Sequence, residues 1–373
     1  MAAASETLVS TSSSSQYLLQ LDALRAFAVA TVMIHHFTPG GFGFGATTGV
    51  KLFFSISGFL ITGILLKARG CAEARGCSKL SALGRFYTRR FLRIFPLYYL
   101  VVGVAFASNL GPVRNIIGSL LTYTLNIHMA RQGWYEADFA HFWSLSVEEQ
   151  FYICWPWLVL FLPRRWILPA ILGVVSIGPL YRWSYVLSHY ENMTALSTYI
   201  STPTSLDHLG FGALLALAVH RLKAETVRNL SFVVFPISFL LALFLFIRVK
   251  GDVEMIFFDT PSALSFCCLI FWVSRGSRGP VGRFLEWTPI SYMGKVSYGL
   301  YVYHPFMLTL AAGLLLRLGF QSKPPELVTA ILAVVLTFIV TSVSWHFFEK
   351  PINDLKRYFP TESLAANKKL LLK

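Results

Sequence analysis

Residues 52–66 read LFFSISGFLITGILL, and residues 67–93 directly after them carry eight lysines and arginines. Taken with its flanks as 48–67, such a run can cross the hydrocarbon core of a bilayer, which needs about 20 residues at a rise of about 1.5 Å each. A cluster of cations just past an apolar run marks the cytoplasmic side. Working outward, the same alternation predicts crossings at 17–37, 48–67, 91–110, 141–163, 166–187, 205–222, 229–248, 257–274, 296–316 and 325–348. The expected fold is all-α, a polytopic membrane bundle of about ten transmembrane helices. Residues 116–127 (IIGSLLTYTLNI) are too short to span at about 12 residues, and are expected to lie at the interface or to re-enter.

Charge orients the bundle. With the N-terminus inside, segments 67–93, 164–165, 220–228, 275–295 and 350–373 hold 23 of the 32 lysines and arginines. The outer loops hold few, among them Arg114, Arg131, Arg248, Lys250 and Lys323. Both termini are therefore expected in the cytoplasm. Residues 1–16 lack the positive n-region of a cleavable leader and read as a disordered tail. Residues 17–351 form the membrane domain, and 352–373 a basic cytoplasmic tail.

Composition agrees. Only 13% of residues are charged and 55% are hydrophobic, whereas a soluble domain carries about 25% charged residues. The 32 basic against 18 acidic residues lie between apolar runs, so they read as membrane flanks and not as a nucleic-acid surface. Cys71, Cys77, Cys154, Cys267 and Cys268 show no CxxC spacing, so neither a disulfide framework nor a metal site is expected. Asn192-Met-Thr194, in an expected outer loop, matches a glycosylation triplet that has meaning only in a eukaryotic host.

Ionisable residues inside a span cost about 2.5–3.5 kcal/mol each, so their presence points to function by default. In LDALRAFAVATVMIHHF (21–37), Asp22 and Arg25 are three apart and can pair on one face. Arg25 and His36 are separated by ten residues, which sets them on one face roughly 16 Å apart along the axis, while His35 points elsewhere. The plainer alternative makes Asp22 and Arg25 a flank anchor and His36 an interfacial histidine. The helix at 141–163 opens with two adjacent carboxylates, only one of which is expected to face the bundle interior: Glu148 shares a face with Ser144 and Trp155 and is the expected buried acid, whereas Glu149 is rotated about 100° away and suits a helix N-terminus.

Arg90 and Arg93, three apart in RFYTRRFLRIFP (85–96), can hold phosphates by bidentate bonds or an anionic lipid surface. Ser55, Ser57 and Gly58 suit close helix packing more readily than chemistry. Tyr301 and His304 sit three apart before Pro305, where packing around a kink competes with a supporting role.

In this order the segments resemble acyltransferase family 3, integral membrane O-acyltransferases that modify cell-envelope polysaccharides and related glycosides. The resemblance covers residues 17–351. It rests on Leu21-Asp22 through the Arg25-x10-His36 spacing, Leu52-Phe-Phe to Thr62, Arg90-x-x-Arg93-Ile-x-Pro96, Trp143-Ser-Leu-x-x-Glu148, Ser297-Tyr298 to His304-Pro305, and Trp345 to Glu349-Lys-Pro351. It implies a multi-pass protein of a bacterial inner membrane that takes acyl-coenzyme A, often acetyl, as a cytoplasmic co-substrate. The acceptor is a hydroxyl of a carbohydrate or glycoside at the outer side, and no cofactor is permanently bound. It assigns His36 and Glu148 to catalysis and Arg25, Arg90 and Arg93 to the donor, with Asp22, Ser57, Tyr301 and His304 as supporting candidates. Lys51 departs from the pattern, since that position is commonly acidic in the family. Some members carry an added esterase-like domain, for which the sequence ends too soon.

An imidazole is the base best matched to neutral pH for activating a hydroxyl, and Glu148 is expected to orient it. The rival is a proton-coupled secondary transporter, for which the same intramembrane charges could form a pathway.

Overall fold

The computed structural model describes residues 2–38, 45–132, 137–188, 195–249, 256–320 and 325–360. The Asn192 triplet, Lys250, Lys323 and residues 361–373 of the basic tail lie outside the described residues. Every regular element is helical, and no strand occurs among the described residues. In chain order these are α1 (Ala2–Phe37), α2 (Gly45–Arg75), α3 (Lys79–Ala107), α4 (Val113–Leu121), α5 (Leu125–Gln132), α6 (Phe142–Phe161), α7 (Arg164–Ser188) and α8 (Ala195–Ile200). They continue as α9 (Thr202–Arg221), α10 (Ala224–Arg248), α11 (Asp259–Ser274), α12 (Gly279–Leu285), α13 (Thr288–Lys295), α14 (Ser297–Arg317), α15 (Glu326–Ser344) and α16 (Lys350–Asp354). A π-helical turn, Trp345–Glu349, joins the last two. The first helix takes in the stretch expected as a tail as well as the first expected crossing.

Six helical stretches are long and apolar enough to cross a membrane, those at 48–75, 79–107, 164–187, 224–248, 297–317 and 326–358. The expected crossings in α1, α6, α9 and α11 are helices but fall outside that set. Length excludes α11, which has 16 residues, and α10 and α6 mark opposite extremes of burial. Helix α10 turns Phe232, Ile237, Leu240, Phe244 and Ile247 outward, the surface that lipid requires. Helix α6 buries residues on every side, from Phe142 through Leu160, and so has little need of an apolar exterior.

Two boundaries differ from expectation. The helix expected to begin at residue 91 starts earlier and takes in the whole aromatic and basic segment 85–96, because α3 starts at Lys79 on a Ser78 cap and continues through Pro96. Residues 116–127 divide between α4 and α5, broken at Tyr123, whose φ of 52° no helix accommodates.

The chain packs as two compact units, residues 1–56 with 222–338, and residues 57–221 with 339–373. In the first unit α1 is wrapped by α11, α12, α13 and α14. Helix α13 comes so close that a Cβ on Gly294 would lie 1.8 Å from the Asp22 carbonyl oxygen. Gln20 fastens the base of α1 by donating to the Ser277 carbonyl (2.9 Å) and to Glu286 Oε1 (2.7 Å). In the second unit α7 lies along α9, with Gly178 against Asp207 and Gly210 against Val175. Helix α2 meets α9 at Gly58, where an added Cβ would stand 2.0 Å from the Leu209 carbonyl oxygen, so the small residue there serves close approach.

Candidate functional site

The first unit holds two groups of expected site residues. Asp22 and Arg25 pair on α1 at 2.5 Å, as their spacing predicts. Near the other end of α1, His36 Nδ1 lies 3.0 Å from the Val32 carbonyl oxygen and 3.3 Å from His304 Nε2 on α14. His304 Nδ1 donates to the Tyr301 carbonyl at 2.8 Å. The Tyr301 ring stands 5.7 Å from the His304 ring, and His35 meets His36 edge-on at 5.3 Å. His36 is exposed, whereas His304 is fully buried. The sequence placed His304 beside Pro305 in a helix; its approach to His36, 268 residues away, comes only from the packing of α14 on α1.

The second unit holds the others. Ser57 on α2 donates to Glu148 Oε1 at 2.7 Å. The expectation that only one of the adjacent carboxylates faces inward needs correcting: Glu149 is 6% exposed and Glu148 half-buried. Helix α6 packs against α3, α5 and α9, so adjacent positions both meet protein. Arg90 on α3 lays its guanidinium 3.7 Å from the centre of the Tyr152 ring, a cation–π contact beside these carboxylates.

Arg90 and Arg93 open on one side into a groove of about 370 Å³. Its polar lining consists of Lys67, Arg85, Arg89, Arg90, Arg93 and Lys356, and none of its lining residues is acidic. Ile61, Ile64, Leu65 and Phe86 supply the apolar wall. Lys356 arrives from the turn Leu355–Tyr358 after α16, which Arg89 holds by donating to the carbonyls of Lys356 and Phe359, each at 3.0 Å. Six basic side chains line one cavity, a setting in which a multiply charged anion would be attracted.

Sequence reasoning read Arg89 within segment 85–96 without assigning it a role, and missed Lys356, which joins Arg90 and Arg93 only through the fold. It also missed a fully buried triad in which Arg182 donates to Asp207 Oδ2 (2.6 Å) and to the Thr204 carbonyl (2.9 Å), while His208 Nδ1 meets Asp207 Oδ1 at 3.0 Å. The signal was present as Asp207-His208 and Arg182 within apolar runs, the residue types a membrane interior tolerates only when paired. This triad joins α7 to α9. Lys51, the departure from the family pattern, forms a buried ion pair with Asp259 of α11.

A family model described as an acyltransferase domain matches residues 18–346. Over 385 aligned residues the chain is 29% identical to the O-acetyltransferase OatA of Staphylococcus aureus, covering 95% of this chain and 60% of the relative. It is 28% identical to the putative peptidoglycan O-acetyltransferase YrhL of Bacillus subtilis, over 90% of this chain and 55% of the relative. To the peptidoglycan O-acetyltransferase OatA of Listeria monocytogenes it is 27% identical, over 93% of this chain and 58% of the relative. The chain thus spans little more than half the length of the curated relatives it matches. No solved structure matches.

Proposed function

This chain belongs to the acyltransferase family, and we propose that it is a multi-pass membrane enzyme carrying an acyl group, acetyl by preference, from coenzyme A to a hydroxyl of a cell-wall glycan. In this reading the bundle has about ten crossings with both termini cytoplasmic, the donor enters from the inner side of a bacterial plasma membrane, and the acceptor is met at the outer side.

The cationic groove of the second unit is the observation that carries the donor assignment. Coenzyme A bears a diphosphate and a ribose phosphate, and arginine forks match such oxygens bidentately. A groove of about 370 Å³ suits that phosphate-bearing end, leaving the thin pantetheine arm to extend into the protein. Arg90 and Arg93 hold the phosphates, while Arg25, paired with Asp22 in the first unit, has its donor role from the family resemblance alone.

His36 is the general base. Its imidazole takes the proton of the acceptor hydroxyl as the oxygen forms a bond to the thioester carbonyl carbon. The carbon–sulfur bond then breaks, and the leaving thiolate takes the proton back from the imidazolium. Glu148, held by the Ser57 hydroxyl in the second unit, is the second residue assigned to catalysis. The transporter alternative is not carried forward, because the match is to an acyltransferase family.

The test is kinetic. With the purified chain in lipid vesicles, radiolabelled acetyl-coenzyme A and a peptidoglycan fragment, the Arg90→Ala/Arg93→Ala double variant is expected to raise KM for the donor about 30-fold or more, from the loss of two charge-assisted contacts. An unchanged KM would assign the groove to anionic lipid.

A further inference from the structure

The hydrogen bonds around His36 fix where its proton sits. The Tyr301 carbonyl can only accept, so the 2.8 Å contact places a proton on His304 Nδ1. His304 is fully buried, where a neutral ring is the less costly form, and a neutral imidazole carries one N–H. His304 Nε2 therefore holds a lone pair, and that lone pair faces His36 Nδ1 at 3.3 Å. The Val32 carbonyl, 3.0 Å from the same nitrogen, also only accepts. Two acceptors converge on one ring nitrogen, and a single N–H shared between them satisfies both. Among neutral rings, every other distribution of protons sets acceptor against acceptor or donor against donor.

We propose that His304 is a positioning residue that, together with the Val32 carbonyl, holds His36 in the tautomer protonated on Nδ1 and so presents Nε2 as the base. This rests on the reading of His36 as the general base. The tautomer of a catalytic imidazole is set by what its other nitrogen bonds to, a role that a carboxylate fills in hydrolase triads and that a second, buried imidazole fills here. The arrangement also serves the next step. Once Nε2 has taken the acceptor's proton, the imidazolium still donates from Nδ1 to the same two acceptors, so no ring has to rotate during the reaction. His304 touches neither substrate nor the reacting atoms in this scheme; it acts through His36.

Three substitutions in the vesicle assay separate this role from simple packing. His304→Phe keeps a ring of similar size without an acceptor nitrogen, whereas His304→Gln can set a carbonyl oxygen where Nε2 stands. We expect the phenylalanine variant to lower kcat about 30- to 100-fold with donor KM within about twofold, and the glutamine variant to recover to within about fivefold of wild type. His36→Ala should be inactive. Equal losses in the two His304 variants, or full kcat in the phenylalanine variant, with His36→Ala inactive, would overturn the positioning role and leave the base standing. An active His36→Ala would overturn both. A direct measurement on the wild-type chain needs no His304 variant: in nitrogen NMR of histidine-labelled protein, the signals absent from His36→Gln should show a protonated Nδ1 and an unprotonated Nε2. The opposite tautomer would overturn the proposal.

Discussion

At the scale of single residues, the first unit separates two adjacent histidines by what they touch. His36 shares its Nδ1 with Val32 and His304, while His35 presents an edge to it. His36→Ala is expected to abolish acetyl transfer and His35→Ala to leave it within about threefold of wild type, read as label on glycan in membranes holding equal amounts of protein; equal activity in both variants would remove His36 from the mechanism. The Lys51–Asp259 pair makes a different kind of prediction. Both groups are buried, so Asp259→Asn, which removes the carboxylate facing the ammonium, is expected to cost about 3–5 kcal/mol of stability. The double variant Lys51→Met/Asp259→Leu should recover most of that loss in a thermal unfolding assay in detergent. Residue spacing alone revealed the Asp22–Arg25 pair and the shared face of Arg90 and Arg93. It could not reveal Asp259 as the partner of Lys51, because 208 residues separate them and neither position repeats with the other's period.

At the scale of elements, the helices easiest to read were those that face lipid. Helices α10 and α15 announce themselves by long apolar runs, since an outward surface in hydrocarbon admits little else. Helices α6 and α9 are clad in protein and carry serine, glutamate, aspartate and histidine, so their interior position was legible only as a cost to be explained. The start of α3 was obscured because its basic residues read as a surface connection, although a helix at the membrane face can carry them all. Two close contacts are open to test. Gly58→Ala forces a methyl group toward the Leu209 carbonyl and is expected to cost about 1–3 kcal/mol through displacement of α2 from α9. Lys356→Ala should raise the donor KM about 3- to 10-fold with kcat unchanged, because the turn after α16 brings that cation to the groove while Arg89 holds the turn by backbone carbonyls. A KM unchanged by Lys356→Ala would place the turn outside the donor site.

At the scale of the whole molecule, each unit carries a different part of the proposed chemistry: the imidazole pair in the first, the cationic groove and Glu148 in the second. The asymmetric distribution of lysine and arginine predicts which face meets the cytoplasm. Cys77, exposed between α2 and α3, should react with a membrane-impermeant maleimide in inside-out vesicles and not in right-side-out ones. The central claim is that a donor held on the basic side supplies an acyl group to a hydroxyl on the other. The most direct measurement encloses a glycan acceptor inside vesicles carrying the chain with its basic face outward, and adds radiolabelled acetyl-coenzyme A outside only. The account predicts base-labile label on the enclosed glycan, absent with His36→Ala. Label that forms only when donor and acceptor share a compartment, or that survives His36→Ala, would contradict it.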